Sequence, residues 1–423
     1  MSRPASSSPG TPVAVTGTGV VSPIGNTLAA FDAALFAGRS ALRAQSLDLP
    51  GIELPPVPVA SADFDAAAQV APSRVPLDRA TAMALATARD AARAAHLDVG
   101  SFDAERLGVF WGSGMAGAAT FEATCRTVYA DRRRMRPTSV VTTMPNAPVA
   151  EIALLFGARG AALAYACACA SSAVAIGEAM RAIRAGWIDI AIAGGSESML
   201  TPGVLASWQA MRVLAPIGAS MESSDALRVA AACRPFAAER AGFALGEAAA
   251  AFVLESTAHA AARGAKAEAM LVGYATNCDG LHITNPDASG QARAMTAALA
   301  DAGLAPGDIG YVNAHGTATR AGDAAEAESV ARVFGAGGVP VSATKAIHGH
   351  LLGAGGAVEL LVALRALRAR RLPPTASTEA TDPAFAIDLV LREARESQGL
   401  RAVMSNSFAF GGTNAVLIAT RAV

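Results

Sequence analysis

An α/β fold with buried strands, repeated in two related halves, is the architecture this sequence predicts. Three observations predict it. Short apolar, β-type runs alternate along the whole chain with Ala-rich stretches whose apolar positions fall three or four residues apart. The 423 residues suffice for two domain-sized halves or one large duplicated fold, and either buries a sizeable core. The halves also rhyme, each opening on a strand and loop: V-A-V-T-G-T-G-V-V-S-P at Val13–Pro23 and M-L-V-G-Y-A-T-N-C-D-G-L-H-I-T-N-P at Met270–Pro286.

In chain order, strands are expected at Val13–Thr16, Leu107–Trp111, Ile188–Ala193, Ala250–Leu254, Ile309–Val312 and Val339–Ser342. Helices are expected at Arg79–His96, Ser172–Ala185, Ala292–Ala302 and Gly355–Ala369. Leu214–Ala232 is less regular and reads as an inserted surface segment. Later in each half a strand runs into a reactive-looking residue, Cys169 in the first and His315 in the second. Each half closes on a Gly-rich strand end, Ala193-Gly194-Gly195 and Phe410-Gly411-Gly412. The halves are placed at residues 11–258 and 259–423, behind a polar tail of residues 1–10.

Composition excludes several classes. Hydrophobic residues make up 52% and charged residues 16%, far from a disordered composition. A net charge of -1 gives no global field for gathering nucleic acid. The five cysteines form neither a disulfide scaffold nor a zinc spacing, which points to a reducing compartment and no bound metal. The N-terminus lacks the apolar core of a signal peptide, and no run of about 18 apolar residues is free of charges and glycines. A cytoplasmic protein without a membrane span is the expectation.

The first chemical motif is L-A-Y-A-C-A-C-A-S-S-A-V-A-I-G at Leu163–Gly177. A strand runs into small residues and then an amphipathic helix, so Cys169 falls near a helix N-terminus, where free amides and the helix dipole favour a thiolate. Small neighbours leave the sulfur reachable, and the same amides suit an oxyanion. A free cysteine is also a common buried hydrophobe, and Cys167, two positions earlier, competes for the role. Cys125, Cys233 and Cys278 have no reactive context.

Two histidine motifs follow. Y-V-N-A-H-G-T-A-T at Tyr311–Thr319 places His315 where a strand end opens into a Gly-containing loop, the usual station of working side chains in α/β enzymes. S-A-T-K-A-I-H-G-H-L-L-G-A-G-G-A-V-E at Ser342–Glu359 gathers Lys345, His348, His350 and several glycines before a helix. Half of the six histidines lie in these two segments, whereas His96 and His259 sit in polar helical settings and read as surface residues. S-N-S-F-A-F-G-G-T-N at Ser405–Asn414 reads as a tight loop whose amides approach something closely. It lacks the ending of a phosphate loop, and T-G-T-G-V-V near the start lacks the third glycine and the downstream acid of a dinucleotide fingerprint.

Taken in order, A-C-A-S-S, N-A-H-G-T, T-K-x-x-x-G-H-L-L-G-A-x-G-A-V-E and N-S-F-x-F-G-G-T-N resemble the β-ketoacyl-acyl carrier protein synthases, most closely the elongating, synthase II type. P-F-A-A-E-R-A-G-F-A-L-G-E-A at Pro235–Ala248 fits as well, and the resemblance covers nearly the whole chain. It implies a five-layered αβαβα thiolase-like fold of two duplicated halves, working as a homodimer. It implies an acyltransferase that loads an acyl group onto Cys169, decarboxylates a malonyl thioester and joins the two by Claisen condensation. A thiolase would carry a second catalytic cysteine late in the chain, but the last is Cys278. A starter-type synthase would pair one histidine with asparagine, and a non-catalytic chain-length partner would lack the nucleophile.

Position by position, the resemblance makes Cys169 the nucleophile rather than Cys167. It makes His315 and His350 the catalytic histidines, with Lys345 and Glu359 as an ordering pair. Thr317 and Thr319 match malonyl-binding threonines. Phe410, with Gly411 and Gly412, matches a gate whose amide joins that of Cys169 in an oxyanion hole. Met115, Trp208 and Phe408 would line the acyl pocket. His348 stands where typical members have no histidine, Ala409 replaces the usual glycine between the loop phenylalanines, and Trp208 is larger than usual. These departures leave room for a specialised polyketide or polyene pathway beside fatty-acid elongation. The resemblance implies no bound cofactor, since the substrates ride on the phosphopantetheine of an acidic acyl carrier protein. Arg74, Arg79 and Arg212 are candidates for docking it, with Arg132-Arg133-Arg134 as a further basic run. A heterodimer with a chain-length partner is the alternative assembly.

Overall fold

The computed structural model describes residues 10–70, 75–217 and 225–422. Arg74 and the centre of the irregular Leu214–Ala232 segment lie outside the described residues. Eleven strands form one hydrogen-bonded sheet: β1 (Val13–Val21), β2 (Leu107–Gly112), β3 (Ala162–Tyr165), β4 (Ile190–Glu197), β5 (Ala248–Ser256), β6 (Ala269–Cys278), β7 (Tyr311–Asn313), β8 (Pro340–Ser342), β9 (Asp388–Leu389), β10 (Ala402–Phe408) and β11 (Thr413–Arg421). The principal helices are α1 (Arg79–Ala94), α2 (Ala147–Phe156), α3 (Ser171–Arg184), α4 (Pro202–Ala210), α5 (Ala288–Ala302), α6 (Arg320–Phe334) and α7 (Gly355–Ala369).

The sheet order is β9-β8-β7-β10-β11-β6-β1-β5-β4-β2-β3. Read outward from the centre, the first half runs first, fifth, fourth, second, third. The second half repeats that order as β6-β11-β10-β7-β8 and adds β9. Directions repeat too: the two inner pairings of each half are antiparallel and the two outer ones parallel. The halves meet where Val13–Val15 pairs with Ala269–Leu271. The expected α/β duplication is therefore present in the topology, more clearly than the sequence rhyme shows it.

Helices α3 and α7 touch each other and strands of both halves, so they form a middle layer. The pair α1 and α2 covers the outside of the first half, and α5 with α6 covers the second, giving five layers. The four central strands of the first half are almost wholly buried, which explains their unbroken apolar runs, while its edge strand β3 is exposed. A Cβ at Gly356 would lie 2.7 Å from that of Ala173, so small residues let α3 and α7 approach closely and draw their N-termini together.

Both central helices are entered by the same backbone kink. Ala168 and Leu352 each take φ +48°, a left-handed conformation costing a non-glycine residue about 1–2 kcal/mol, followed by a 3₁₀ turn and then α3 or α7. This corrects the sequence rhyme. Counted from the two helix starts, the counterpart of Cys169 is Gly353, three residues after His350, and not His315. The rhyme misled because both residues follow strands, while the shared feature is the kink. Gly194 and Gly195 also lie inside β4, which continues to Glu197, rather than at a strand end.

Candidate active site

Three loops from the two halves converge at the end of the middle layer. Cys169 lies in the 3₁₀ turn before α3 and is 7% exposed. His350 lies just before the matching turn at α7, and His315 follows β7. The Nε2 of His350 is 3.1 Å from the Cys169 Sγ. The rings of His315 and His350 are 5.4 Å apart, edge to face. The sulfur and one nitrogen of each histidine lie within 4.8 Å of one another.

The partners behind each ring decide what it offers. Lys345 Nζ lies 3.3 Å from His315 Nδ1 and also donates to the His315 carbonyl. An ammonium only donates, so Nδ1 is the acceptor and Nε2 carries the proton. The Leu352 amide donates to His350 Nδ1 at 3.3 Å, which again leaves the proton on Nε2. Both rings thus present N–H donors to the space beside the sulfur. A metal ion would need both Nε2 lone pairs, and would turn each Nδ1–H toward another donor. The arrangement suits a developing anion, not a cation.

Burial holds His315 and His350 well below the usual histidine range, and Lys345 adds to the effect, so both are neutral. Burial pushes the Cys169 thiol up to about 12, while Lys345 and a hydrogen bond from the Phe410 amide pull the other way. The N-terminus of α3 favours the thiolate as well. Lys345 pairs with Glu359 of α7, and both are buried. Burial raises Glu359 to about 7 against the pull of Lys345.

Other site residues were missed in the sequence. The Glu326 carboxylate accepts the amides of His315 at 2.8 Å and Gly316 at 2.7 Å. Asp323, three residues earlier on α6, accepts those of Phe236 and Ala318 at 2.6 and 3.0 Å. Two acids one turn apart on an Ala-rich helix, directly after the histidine loop, were the available signal. Phe243 packs edge-on to His350 at 5.1 Å between centroids. Residues 244–246 hold the backbone of His350 from both sides, with His350 N–H donating to Ala244 at 2.6 Å and its carbonyl accepting from Gly246 at 2.9 Å.

A cavity of about 260 Å³ opens over the three residues, with Thr317, Thr319 and Gly412 in its wall. Phe408 and Trp208 line it, and Trp208 on α4 stacks on Phe410 at 6.3 Å. Ala409 is not among the residues with positive φ, whereas Gly411 and Gly412 take +85° and +76°, so the alanine fits this backbone without strain. The turn is tied to the segment after β6. Gly411 N–H donates to Ile283 at 2.7 Å, and the Asn414 amide donates to Asp279 at 2.6 Å.

Several expectations need correction. Met115 is 51% exposed and does not line the cavity; its amide donates to Glu197 at 3.2 Å. Arg79 is no free docking cation. Its guanidinium is held by Glu247 and by the carbonyls of Ala62 and Phe64. Arg212 is exposed between Met211 and Val213, both at the cavity. Cys167, the competing cysteine, is half-buried, with its amide on Ser171 Oγ at 2.8 Å. His259 is not a free surface residue, because it pairs with Glu255 at 2.6 Å. Among the described residues, no helix is long and apolar enough to cross a membrane.

Comparison with known proteins matches this geometry. Residues 10–260 match the family model for the β-ketoacyl synthase N-terminal domain, and residues 268–379 that for the C-terminal domain. A 3-oxoacyl-[acyl-carrier-protein] synthase 2 of Staphylococcus aureus is 38% identical over 348 residues, 81% of this chain and 84% of its own. The solved ishigamide ketosynthase/chain length factor is similar with a TM-score of 0.88 at 30% identity, covering 98% of this chain and 100% of that one. A type II polyketide ketosynthase, solved with its acyl-carrier protein and a hexaketide, gives a TM-score of 0.87 at 27% identity over the same shares.

Proposed function

The chain belongs to the β-ketoacyl synthase family, and on that premise we propose that Cys169, His315 and His350 carry out its condensation of an acyl and a malonyl thioester to a 3-oxoacyl thioester in fatty-acid elongation. The observation that carries this reading is the convergence of two fixed Nε2–H donors beside the Cys169 sulfur. In the first half-reaction the sulfur attacks an acyl thioester, and the amides of Cys169 and Phe410 receive the oxyanion. The carrier's thiol leaves with the Cys169 proton.

In the second half-reaction the C–C bond to the malonyl carboxylate breaks and CO2 departs. Negative charge moves onto the thioester oxygen, where His315 and His350 donate to it. Preorganised donors of this kind are each worth a few kcal/mol, on the order of 3. The enolate carbon bonds to the acyl carbonyl, the bond to Cys169 breaks, and one solvent proton restores the thiol. Thr317 and Thr319, whose hydroxyls are 2.9 Å apart, hold the malonyl carboxylate. Lys345 and Glu359 order the site and move no proton.

The substrates arrive on the phosphopantetheine of an acyl carrier protein, and the chain itself needs no cofactor. The ketosynthase neighbour solved with its carrier supports this partner. Arg212 beside the cavity and the exposed run Arg132–Arg134 are the docking candidates. The exposed edge strand β3, with Leu163 47% exposed, supports pairing with a second copy of the chain. A second reading, a ketosynthase of a specialised type II polyketide or polyene pathway, draws support from Trp208 in the cavity wall and from the type II polyketide ketosynthase neighbour. The test is to incubate the chain with acyl- and malonyl-carrier protein. CO2 and 3-oxoacyl-carrier protein in equal amounts are expected, and release of neither overturns the reading.

A further inference from the structure

His348 touches none of the reacting groups. It does not line the cavity, and it is fully buried. Its two ring nitrogens are nevertheless both engaged. Nδ1 lies 2.8 Å from the Gly349 carbonyl, and Nε2 lies 2.9 Å from the Thr344 hydroxyl. A carbonyl only accepts, so Nδ1 carries the proton and Nε2 accepts from Thr344. Burial, with Lys345 nearby, lowers this imidazole to about 3 and keeps it neutral.

The positions of those two partners give the ring its meaning. Thr344 immediately precedes Lys345, and Gly349 immediately precedes His350. Between them lies a single short helical turn, Lys345–His348, closed by Gly349 at φ +73° with its amide on the Lys345 carbonyl at 2.9 Å. The peptide linking Gly349 to His350 is held on both sides, its carbonyl by His348 and its N–H by Ala244 at 2.6 Å. If that peptide rotated, it would carry the His350 ring off the sulfur and out of line with His315, which Lys345 orients.

We infer that His348 is a positioning residue whose imidazole bridges the two ends of this turn and so fixes the spacing of Lys345 and His350. The role rests on the proposed reaction, because only decarboxylation needs both imidazoles aimed at one oxygen. Acyl transfer depends on Cys169 and the Phe410 amide, which come from other elements. Loss of the bridge therefore falls on the second half-reaction.

The test compares wild-type protein with His348→Leu and His348→Gln. Three quantities are measured: CO2 release from malonyl-carrier protein, acyl transfer to Cys169, and thermal unfolding. Leucine leaves the Gly349 carbonyl and the Thr344 hydroxyl buried without partners, while a glutamine amide can serve both. Leucine is expected to lower kcat for CO2 release about tenfold, with KM and the acyl-transfer rate within about twofold of wild type, and glutamine is expected to recover most of the loss. If leucine does not fold, His348→Asn, too short to span both partners, takes its place with the same expectations. Two results overturn the inference: leucine decarboxylating like wild type, or both half-reactions falling together with glutamine no better. Wild-type protein that releases no CO2 overturns the reading of the reaction, and this role with it.

Discussion

The Nζ of Lys345 lies 3.3 Å from Nδ1 of His315, and this contact fixes which nitrogen of that ring carries its proton. Lys345 is at the same time the buried partner of Glu359. Lys345→Met should therefore do two separable things. It should lower malonyl decarboxylation about 100-fold, as loss of one oriented donor does. It should also cost about 3–5 kcal/mol of stability, by leaving Glu359 buried without its partner. Lys345→Met with Glu359→Leu should recover the stability and not the decarboxylation. CO2 release and denaturant unfolding separate the two effects, and a double variant that decarboxylates like wild type contradicts the positioning role.

Trp208 closes one wall of the cavity, 5.7 Å from Phe243 and 6.3 Å from Phe410 between centroids. Trp208→Leu removes much of that wall. Burying one methylene is worth about 0.8 kcal/mol, so kcat/KM for longer acyl donors should rise roughly fourfold per added methylene until the new space is filled. A chain-length series of acyl-carrier substrates measures this. An unchanged preference would mean that the acyl chain lies elsewhere.

The His348 imidazole also predicts a pH dependence of stability. Its folded-state pKa is depressed to about 3, from an ordinary value of 6.5. Below pH 6.5 the unfolded chain therefore takes up a proton that the folded chain does not, and stability is lost as pH falls through that window. His348→Gln removes this titration. Its stability relative to wild type should improve by about 1.4 kcal/mol for each pH unit below 6.5. Denaturant unfolding at pH 7, 6 and 5 tests it, and parallel curves for the two proteins would contradict it.

Much of the fold was legible because buried strands and Ala-rich helices keep their periods. The expected helix Gly355–Ala369 and the strand begun at Leu107 match the observed elements closely. The exact pairing of the halves was not legible, because it resides in strand order and in the kinks at Ala168 and Leu352. No residue type marks those kinks. Cys169, His315 and His350 stood out as candidates because small residues and glycines surround them. Only the ordered set of motifs and the resemblance it carries chose Cys169 over Cys167 and His350 over His348. Glu326 was overlooked, because two acids one turn apart after the histidine loop do not by themselves show that one of them holds the amides of that loop. Met115 and Arg79 were misplaced for a related reason: exposure and ion pairing depend on partners distant in sequence, Glu247 in the case of Arg79.

The most direct test of the account is to find where the acyl group rests. Wild-type protein incubated with acyl-carrier protein alone, digested and mapped by mass spectrometry, should carry the acyl thioester on the peptide containing Cys167 and Cys169. Fragmentation should place it on Cys169. Cys169→Ala should abolish the acyl-enzyme, and Cys167→Ala should retain it. Acylation that survives Cys169→Ala, or that maps to Cys167, would contradict the assignment of the nucleophile.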